Sequence, residues 1–286
     1  MPSIEHPSAG ASAPPARPDL SRTRPLRPSV PWLHRIIVLM LLTMLMLPVL
    51  GTLLYSLSTS WSATILPSGL TFKWYIALWS DTRFLAAFGR SLLVCLGALA
   101  VSLCLILPLM LAIHSHFPRL DRWMNILILL PFAIPPVVSS VGLMQLFSGG
   151  PLPLAGTPWI LIGCFFTIAL PFIYRTLSNS LQAIQLQDLL DAAHLLGAST
   201  WRAAWLVVLP NLRTGLMISV FLSFSFLFGE FVFANLLAGS RYETLQVYLY
   251  NMRNDSGHFT SALVISYFAF VVLVTWAARR LNKDTV

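Results

Sequence analysis

The sequence has 286 residues, of which 57% are hydrophobic and only 10% are charged, and its mean hydropathy is +0.77. Soluble domains carry about 25% charged residues, so the composition excludes a soluble globular enzyme and indicates a polytopic membrane protein. The formal net charge of +8 does not indicate nucleic-acid binding, because the basic residues stand at the ends of apolar runs. Cys95, Cys104 and Cys164 lie inside apolar runs, which predicts reduced hydrophobic side chains and no disulfide or metal site.

The N-terminal third begins with a polar segment and continues with a long apolar run. Residues 1–31 are rich in proline, serine, alanine and arginine and lack periodicity, which predicts a disordered tail. The apolar run 36–57 is too long for the hydrophobic region of a signal peptide and has no clear A-x-A cleavage site, so we expect a retained membrane helix. The loop 58–85 is rich in tryptophan and tyrosine, which usually lie at the headgroup level and could also contact a delivering protein.

Five further apolar runs are each close to the roughly 20 residues that a spanning helix needs. These runs are 87–113, 123–147, 157–177, 214–238 and 258–278. Six spans place both termini on one side, and 13 of the 18 lysines and arginines fall on that side, which predicts cytoplasmic termini. We therefore predict one all-α membrane domain over 32–286, with its core at about 86–280.

A polar segment at 188–210 interrupts the apolar pattern between the fourth and fifth runs. Asp188 is placed to cap a first short helix, and Gly197 is placed to end it. Ser199 can cap a second helix that has to end before Pro210. The small residues of the segment, Ala192, Ala193, Gly197 and Ala198, would permit close approach of another surface. The pattern indicates a docking segment, although a helix lying at the membrane interface would also fit it.

This segment resembles the EAA motif of type I ABC importer permeases, which has an acidic residue and two alanines, a glycine four residues later and a hydrophobic-x-Leu-Pro end. The matching residues here are Asp191-Ala192-Ala193, Gly197 and Val207-Val208-Leu209-Pro210. Two positions depart from the motif: Asp191 stands where glutamate is usual, and Ala204 stands where many members have phenylalanine. The resemblance covers about 60–280.

The resemblance implies an inner-membrane permease subunit with three kinds of partner. A second permease would pair with it, two cytoplasmic ATPase subunits would dock on it, and a solute-binding protein would deliver the solute. The chain would bind no cofactor itself, since ATP and Mg²⁺ would be held by the ATPase. The resemblance implies that ATPase coupling involves Asp191, Ala192, Ala193, Gly197, Leu209 and Pro210. We add Arg202 as an ion-pair donor to the ATPase.

The sequence carries no signature of an enzyme. It has no G-x-x-x-x-G-K-[ST] phosphate loop, no H-E-x-x-H and no G-x-S-x-G, so ATP hydrolysis would require a separate chain. His114 and His116 lie two residues apart at a helix end beside Arg119, which favours an interfacial position over a metal site. A secondary transporter or channel would work without an ATPase and would not need the segment 188–210, and it remains an alternative class.

Three segments resemble permeases of the polyamine, iron and aminophosphonate group. They are WSATILPSGLTFKWY after the first span, FSGGPLPLAGTPWI before the fourth and FGEFVFA in the fifth. This resemblance implies a polyamine such as spermidine or putrescine as the first choice of substrate. 2-Aminoethylphosphonate comes next, and ferric iron belongs to the same group.

Glu230 is an acidic residue inside an apolar run, about two-thirds of the way along the fifth span. A charge near the centre of a membrane helix costs about 2.5–3.5 kcal/mol, so this side chain should face protein or water. It could line a translocation path and attract a cationic solute, or it could form a buried pair with a neighbouring helix. Weaker candidates for such a path are Asn235, Ser139, Ser140 and Asn179.

The third span contains three prolines, Pro131, Pro135 and Pro136, in the run LLPFAIPPVVSS. Prolines inside a helix remove backbone hydrogen bonds and produce kinks. A kinked helix beside a pore could act as a gate, and a static kink that fits helix packing is the plainer alternative.

Overall fold

The computed structural model describes residues 31–62, 64, 67–117 and 119–283. Apart from Pro31, the expected disordered tail therefore lies outside the described residues. The chain divides into two units, residues 1–49 and 50–286. The described part of the first unit, from Pro31 onward, forms the first turns of one long helix, and the second unit contains all the other helices.

The described residues form α-helices joined by short connections. The helices are α1 Pro31–Leu57, α2 Lys73–Ser80, α3 Thr82–His116, α4 Leu120–Leu127, α5 Leu130–Ala133, α6 Pro136–Phe147, α7 Pro158–Ala183, α8 Leu186–Leu195, α9 Thr200–Ala203, α10 Leu209–Asn211, α11 Arg213–Phe228, α12 Leu245–Asn251 and α13 Gly257–Lys283. Two π-helical turns occupy Ala204–Val208 and Ala234–Ala238. A single antiparallel bridge joins Ser58 and Leu70 within the described part of the first loop.

Four of the helices are long and apolar enough to cross a membrane without interruption: α1, α3, α7 and α13. Two further spans are bent pairs. Leu120–Ala133 meets Pro136–Phe147 at 87°, and Thr200–Asn211 meets Arg213–Phe228 at 69°. When each bent pair is counted as one span, the described chain has six, which confirms the predicted all-α, six-span architecture.

The third span is broken by its prolines and is not simply kinked. Ile134 has φ −102° and ψ 124°, the extended conformation expected of a residue that precedes proline. Pro135 is also extended, and Pro136 begins α6, where its missing N–H costs nothing. Pro131 stands at the start of α5 in the same way. The prolines thus bend the span, as predicted, but the bend is a break between helices and not a kink inside one, because each proline lies at a helix start or between helices.

The fifth span is also interrupted. Helix α11 ends at Phe228 with Gly229 as its C-cap, and helical structure resumes at Val232. The predicted continuous helix over 214–238 is therefore wrong, and Glu230 lies in the break instead of on a helix face.

Helices α3 and α7 form the centre of the second unit, and α11 packs against both. Gly215 of α11 faces Ser180 of α7 so closely that a Cβ atom on Gly215 would lie 2.6 Å from the Ser180 Cβ. Small residues at such crossings let helix backbones approach without a bulky layer between them. The pair therefore fixes how tightly α11 lies on α7.

One end of α3 is tied to α12 by a polar network. The Nε and Nη2 atoms of Arg83 donate to the two carboxylate oxygens of Glu243 at 2.8 and 2.7 Å. The Asn251 amide donates to the same carboxylate at 2.7 Å, and the Tyr248 hydroxyl donates to Asp81, which caps α3. Bidentate arginine–carboxylate pairs combine charge with fixed geometry. This network holds α12 across the start of α3.

The aromatic residues of the first loop pack within the chain. His258 of α13 lies between the rings of Tyr55 and Trp74, with centroids 4.1 and 5.5 Å away. The Tyr75 hydroxyl lies 2.6 Å from the Ser56 hydroxyl. Trp74 thus joins α2 to α13 and Tyr75 joins α2 to α1, roles that the sequence did not suggest for these two residues.

Candidate functional site

Helix α8 carries the first half of the predicted docking segment, and one of its faces is buried. Leu186, Leu190 and Ala193 are 4–6% exposed and follow one another at helical spacing. Asp191 and Ala192 lie on the exposed side. The expectation that Ala193 belongs to the outer contact surface is therefore wrong, since its small side chain lets α8 pack onto the chain.

The end of α8 is built around Gly197, as predicted. Gly197 has φ +79°, and its N–H donates to the His194 carbonyl at 2.9 Å. The Ala198 N–H donates to the Ala193 carbonyl at 3.0 Å. These two bonds form a Schellman motif, which satisfies carbonyl groups that the helix end would leave free. The start of α8 differs from the prediction, because Gln185 in a left-handed conformation precedes it and Asp188 lies within its first turn.

The second half of the segment begins as predicted and ends differently. The Ser199 hydroxyl accepts a hydrogen bond from the Arg202 N–H at 3.4 Å and caps α9. The chain then forms a π-helical turn in which the Leu209 N–H donates to the Ala204 carbonyl. Pro210 has no N–H to donate and would crowd the carbonyl four residues earlier in an α-helix. The wide turn accommodates it, so helical structure continues to Asn211 and the expected end before Pro210 is wrong.

The connection between α8 and α9 exposes large apolar side chains that the motif did not identify. Leu195 and Leu196 are each 89% exposed, and Trp201 is 66% exposed. Asp191 and Arg202 are also exposed, and neither forms an ion pair with another described residue. Exposed apolar groups beside free charges are typical of a surface that another protein covers. The sequence signal for this surface was the leucine pair that directly precedes Gly197.

Polar contacts tie α8 to the end of α3. The Gln187 side-chain amide donates to the His114 carbonyl at 2.6 Å. The His114 Nε2 atom lies 3.3 Å from the Ser178 hydroxyl of α7, and the Tyr174 hydroxyl donates to Asp121 at 2.7 Å. A displacement of α8 would therefore act directly on α3 and, through His114, on α7. His114 is therefore the residue through which α8, α3 and α7 are connected.

A cavity of about 640 Å³ lies where the two broken spans meet α7. Pro131, Pro136 and Ser139 line it from the third span, and Ser225 and Glu230 line it from the fifth. The Glu230 carboxylate accepts hydrogen bonds from the N–H groups of Phe233 and Ala234, at 2.9 and 3.2 Å. It thereby caps the helical turn that follows the break. The cavity unites the acidic residue and two of the prolines that the sequence singled out.

Three of the predicted path residues do not line this cavity. The Ser140 side chain is buried, and its hydroxyl donates to the Pro136 carbonyl at 2.8 Å. Asn235 lies half-buried in the second π-helical turn, and Asn179 is exposed on α7. These three residues lie outside the cavity that Glu230 borders, and their part in a translocation path stays a prediction.

The described residues contain no cluster of three or more histidine, cysteine or acidic side chains that could hold a metal ion. Cys95 and Cys164 are buried and Cys104 is exposed, and all three are free thiols. The structure therefore contains a cavity lined by one carboxylate and, separately, an exposed segment that is hydrogen-bonded to α3.

Comparisons with known proteins agree with this arrangement. Residues 104–286 match the family described as binding-protein-dependent transport system inner membrane component. A solved bacterial ABC transporter involved in the import of the acidic polysaccharide alginate has a similar chain, with a TM-score of 0.64 and 16% identity, covering 87% of this chain and 95% of that one. This likeness shows the fold.

Two relatives illustrate the range of solutes. PhnV of Salmonella typhimurium, named provisionally as a 2-aminoethylphosphonate transport system permease protein, is 29% identical over 83% of this chain and 89% of its own length. The sulfate transport system permease protein CysW of Escherichia coli is 31% identical over 68% of this chain and 72% of its own length. Neither relative supports the polyamine that the sequence ranked first. The chain belongs to the binding-protein-dependent transport system inner membrane components and is a type I ABC importer permease subunit.

Proposed function

We propose that this permease carries 2-aminoethylphosphonate across the bacterial inner membrane. The observation that supports this choice is the likeness to PhnV, which spans 83% of this chain and 89% of the relative. It reverses the order of substrates taken from the sequence, in which a polyamine came first. Sulfate, the solute named for CysW, is a less suitable candidate because the cavity is lined by a carboxylate and by no basic side chain among the described residues.

Transport in this proposal depends on partners. A second permease completes the path, a solute-binding protein delivers the solute, and two ATPase subunits bind ATP and Mg²⁺ at the cytoplasmic face. The ATPase contact consists of the exposed leucines of the α8–α9 connection together with Asp191, Ala192, Gly197 and Arg202. Both termini lie in the cytoplasm. Exposure of this segment and its hydrogen bond to α3 support the coupling role.

Uptake competition tests the substrate. Cells that lack their own phosphonate import and express this chain with its partner subunits should accumulate labelled 2-aminoethylphosphonate. Unlabelled 2-aminoethylphosphonate in excess should abolish accumulation, while sulfate and spermidine should leave it unchanged. Accumulation of labelled sulfate or spermidine, with none of the phosphonate, would overturn the proposed substrate.

Crosslinking tests the coupling role. Cysteine in place of the exposed Ala192 should crosslink to the ATPase, and ATP should change the yield. Ala193→Cys is the matched control, because the neighbouring side chain is only 6% exposed and should react poorly. The absence of a crosslink from position 192 in any nucleotide state, in an assembled complex, would argue for transport without an ATPase.

A further inference from the structure

The walls of the Glu230 cavity combine one charged group with several aromatic rings. Among the described residues that line it, Glu230 is the single charged side chain. Phe132 and Phe226 line it from the third and fifth spans, and Phe231 and Phe233 follow Glu230 within the break and just after it. The Phe172 ring bridges the first two, with centroids 6.3 and 5.0 Å away, which fixes their positions.

The Glu230 side chain is held in place and still has acceptor capacity. Its oxygens accept the backbone N–H groups of Phe233 and Ala234, and the Val232 N–H also faces the carboxylate. A carboxylate offers about four lone-pair sites, so at least one remains for a ligand in the cavity. Because these backbone donors belong to the chain just after the break, the orientation of the carboxylate depends on the break itself.

We infer that this cavity binds the ammonium group of the solute, with Glu230 as its hydrogen-bonding partner and phenylalanine faces around it. An ammonium group gains from a carboxylate and from aromatic faces alike. A phosphonate or sulfate group without an amine would meet an acidic wall with no basic side chain among the described residues. The inference rests on the proposed function and adds that the permease itself distinguishes amine-bearing solutes from purely anionic ones.

Thiol chemistry measures the charge preference of the cavity without relying on transport. Ser139, which lines the cavity, is replaced by cysteine in a chain whose Cys95, Cys104 and Cys164 are replaced by alanine. The assembled complex in membrane vesicles then reacts with a cationic and with an anionic methanethiosulfonate. At position 139, the rate with the cationic reagent divided by the rate with the anionic reagent should be severalfold higher than the same ratio at a control cysteine in place of the exposed Ser62.

Two variants separate charge from structure. Glu230→Gln should bring the rate ratio at position 139 down to the control value. Adding Ser225→Asp, which places a carboxylate elsewhere on the cavity wall, should restore the preference for the cationic reagent. If Glu230→Gln left the ratio unchanged, or if Ser225→Asp failed to restore it in an assembled complex, the inference would be overturned.

Protection by small solutes tests recognition of the amine. Ethylammonium and 2-aminoethylphosphonate should slow labelling of the position-139 cysteine by a neutral reagent, and methylphosphonate should not. Protection by methylphosphonate equal to that by ethylammonium would refute ammonium binding, even in cells that import 2-aminoethylphosphonate. Protection by ethylammonium in a protein that imports no 2-aminoethylphosphonate would support the ammonium site and reject the proposed substrate.

Discussion

Gly197 occupies a conformation that few other residues adopt, and the space around it is open. Its φ is +79°, and no heavy atom lies within 4 Å of an ideal Cβ. The requirement for glycine therefore comes from the backbone, in which a left-handed conformation costs other residues about 1–2 kcal/mol. The glycine could be predicted from the sequence because helix capping is local chemistry within a few residues.

Substitution at Gly197 should follow this conformational cost. Gly197→Val should lower ATPase association and uptake severalfold with membrane insertion intact, because a β-branched residue disfavours the left-handed conformation. Gly197→Asn should retain most of the ATPase association and most of the uptake, since asparagine tolerates the left-handed conformation. Co-purification of the ATPase and solute uptake provide the measurements. Equal behaviour of the two variants would mean that the geometry of this turn is unimportant for docking.

Glu243 illustrates a residue whose role the sequence did not reveal. Burial alone would raise its pKa, but hydrogen bonds from Arg83 and Asn251 hold the pKa of the carboxyl below its usual range. Its partner Arg83 lies 160 positions away in the chain. No local pattern links residues so far apart, and only the packed structure brings them together.

The depressed pKa of Glu243 predicts how stability depends on pH. Since the folded pKa lies below the unfolded value, the stabilisation is complete above the unfolded pKa of about 4.3 and is lost as the pH falls through the folded pKa. At neutral pH, Glu243→Gln should lower the thermal midpoint of the detergent-purified protein relative to wild type. This difference should shrink below about pH 4. A difference that stayed constant down to pH 3 would contradict the ionised role.

At the scale of elements, α8 has a buried face and an exposed end. Its buried residues anchor it, and Gln187 links it to α3. The end of α8 at Gly197 and the Ser199 cap of α9 were predictable, since capping residues act locally, whereas the start of α8 and the end of the second helix were not. The π-helical turn and the 87° break were not predictable either, because prolines predict a disturbance but its size depends on how α6 packs against the turn Ala234–Ala238.

The exposed leucines of the α8–α9 connection should matter for association and not for folding. The double variant Leu195→Ser/Leu196→Ser should lower ATPase co-purification severalfold while the thermal midpoint of the isolated permease stays the same, since both side chains are 89% exposed. Leu190→Ser is the matched control, because Leu190 is 4% exposed and its loss should destabilise the fold. Unchanged co-purification of the double variant would place the ATPase contact elsewhere.

At the scale of the whole molecule, hydropathy predicted six spans because each span must be long and apolar enough by itself to cross the hydrocarbon core of the membrane. Which spans meet, and through which side chains, could not be predicted in this way. The cavity shows the limit: Glu230 and the third-span prolines were each recognised as unusual, but nothing in the sequence indicated that they line one space.

The proposed topology is testable with two single cysteines in a Cys104→Ser background. Cysteine at Ser62, after the first span, should react with a membrane-impermeant thiol reagent in intact cells. Cysteine at Ala192, after the fourth span, should react only once the membrane is permeabilised, because the excess of basic residues on its side predicts a cytoplasmic location. The opposite pattern of labelling would invert the topology and exclude a cytoplasmic ATPase at this segment.

The ion pair between Arg83 and Glu243 has a mechanical consequence. It clamps one end of α3, while Gln187 joins the other end to α8. A displacement of α8 would therefore act on one end of α3 while the ion pair holds the other end. Two non-helical breaks border the same cavity, one at Ile134–Pro135 within the third span and one at Gly229–Phe231 directly after α11. The chain is therefore continuously helical along α3 and broken at two places beside this cavity.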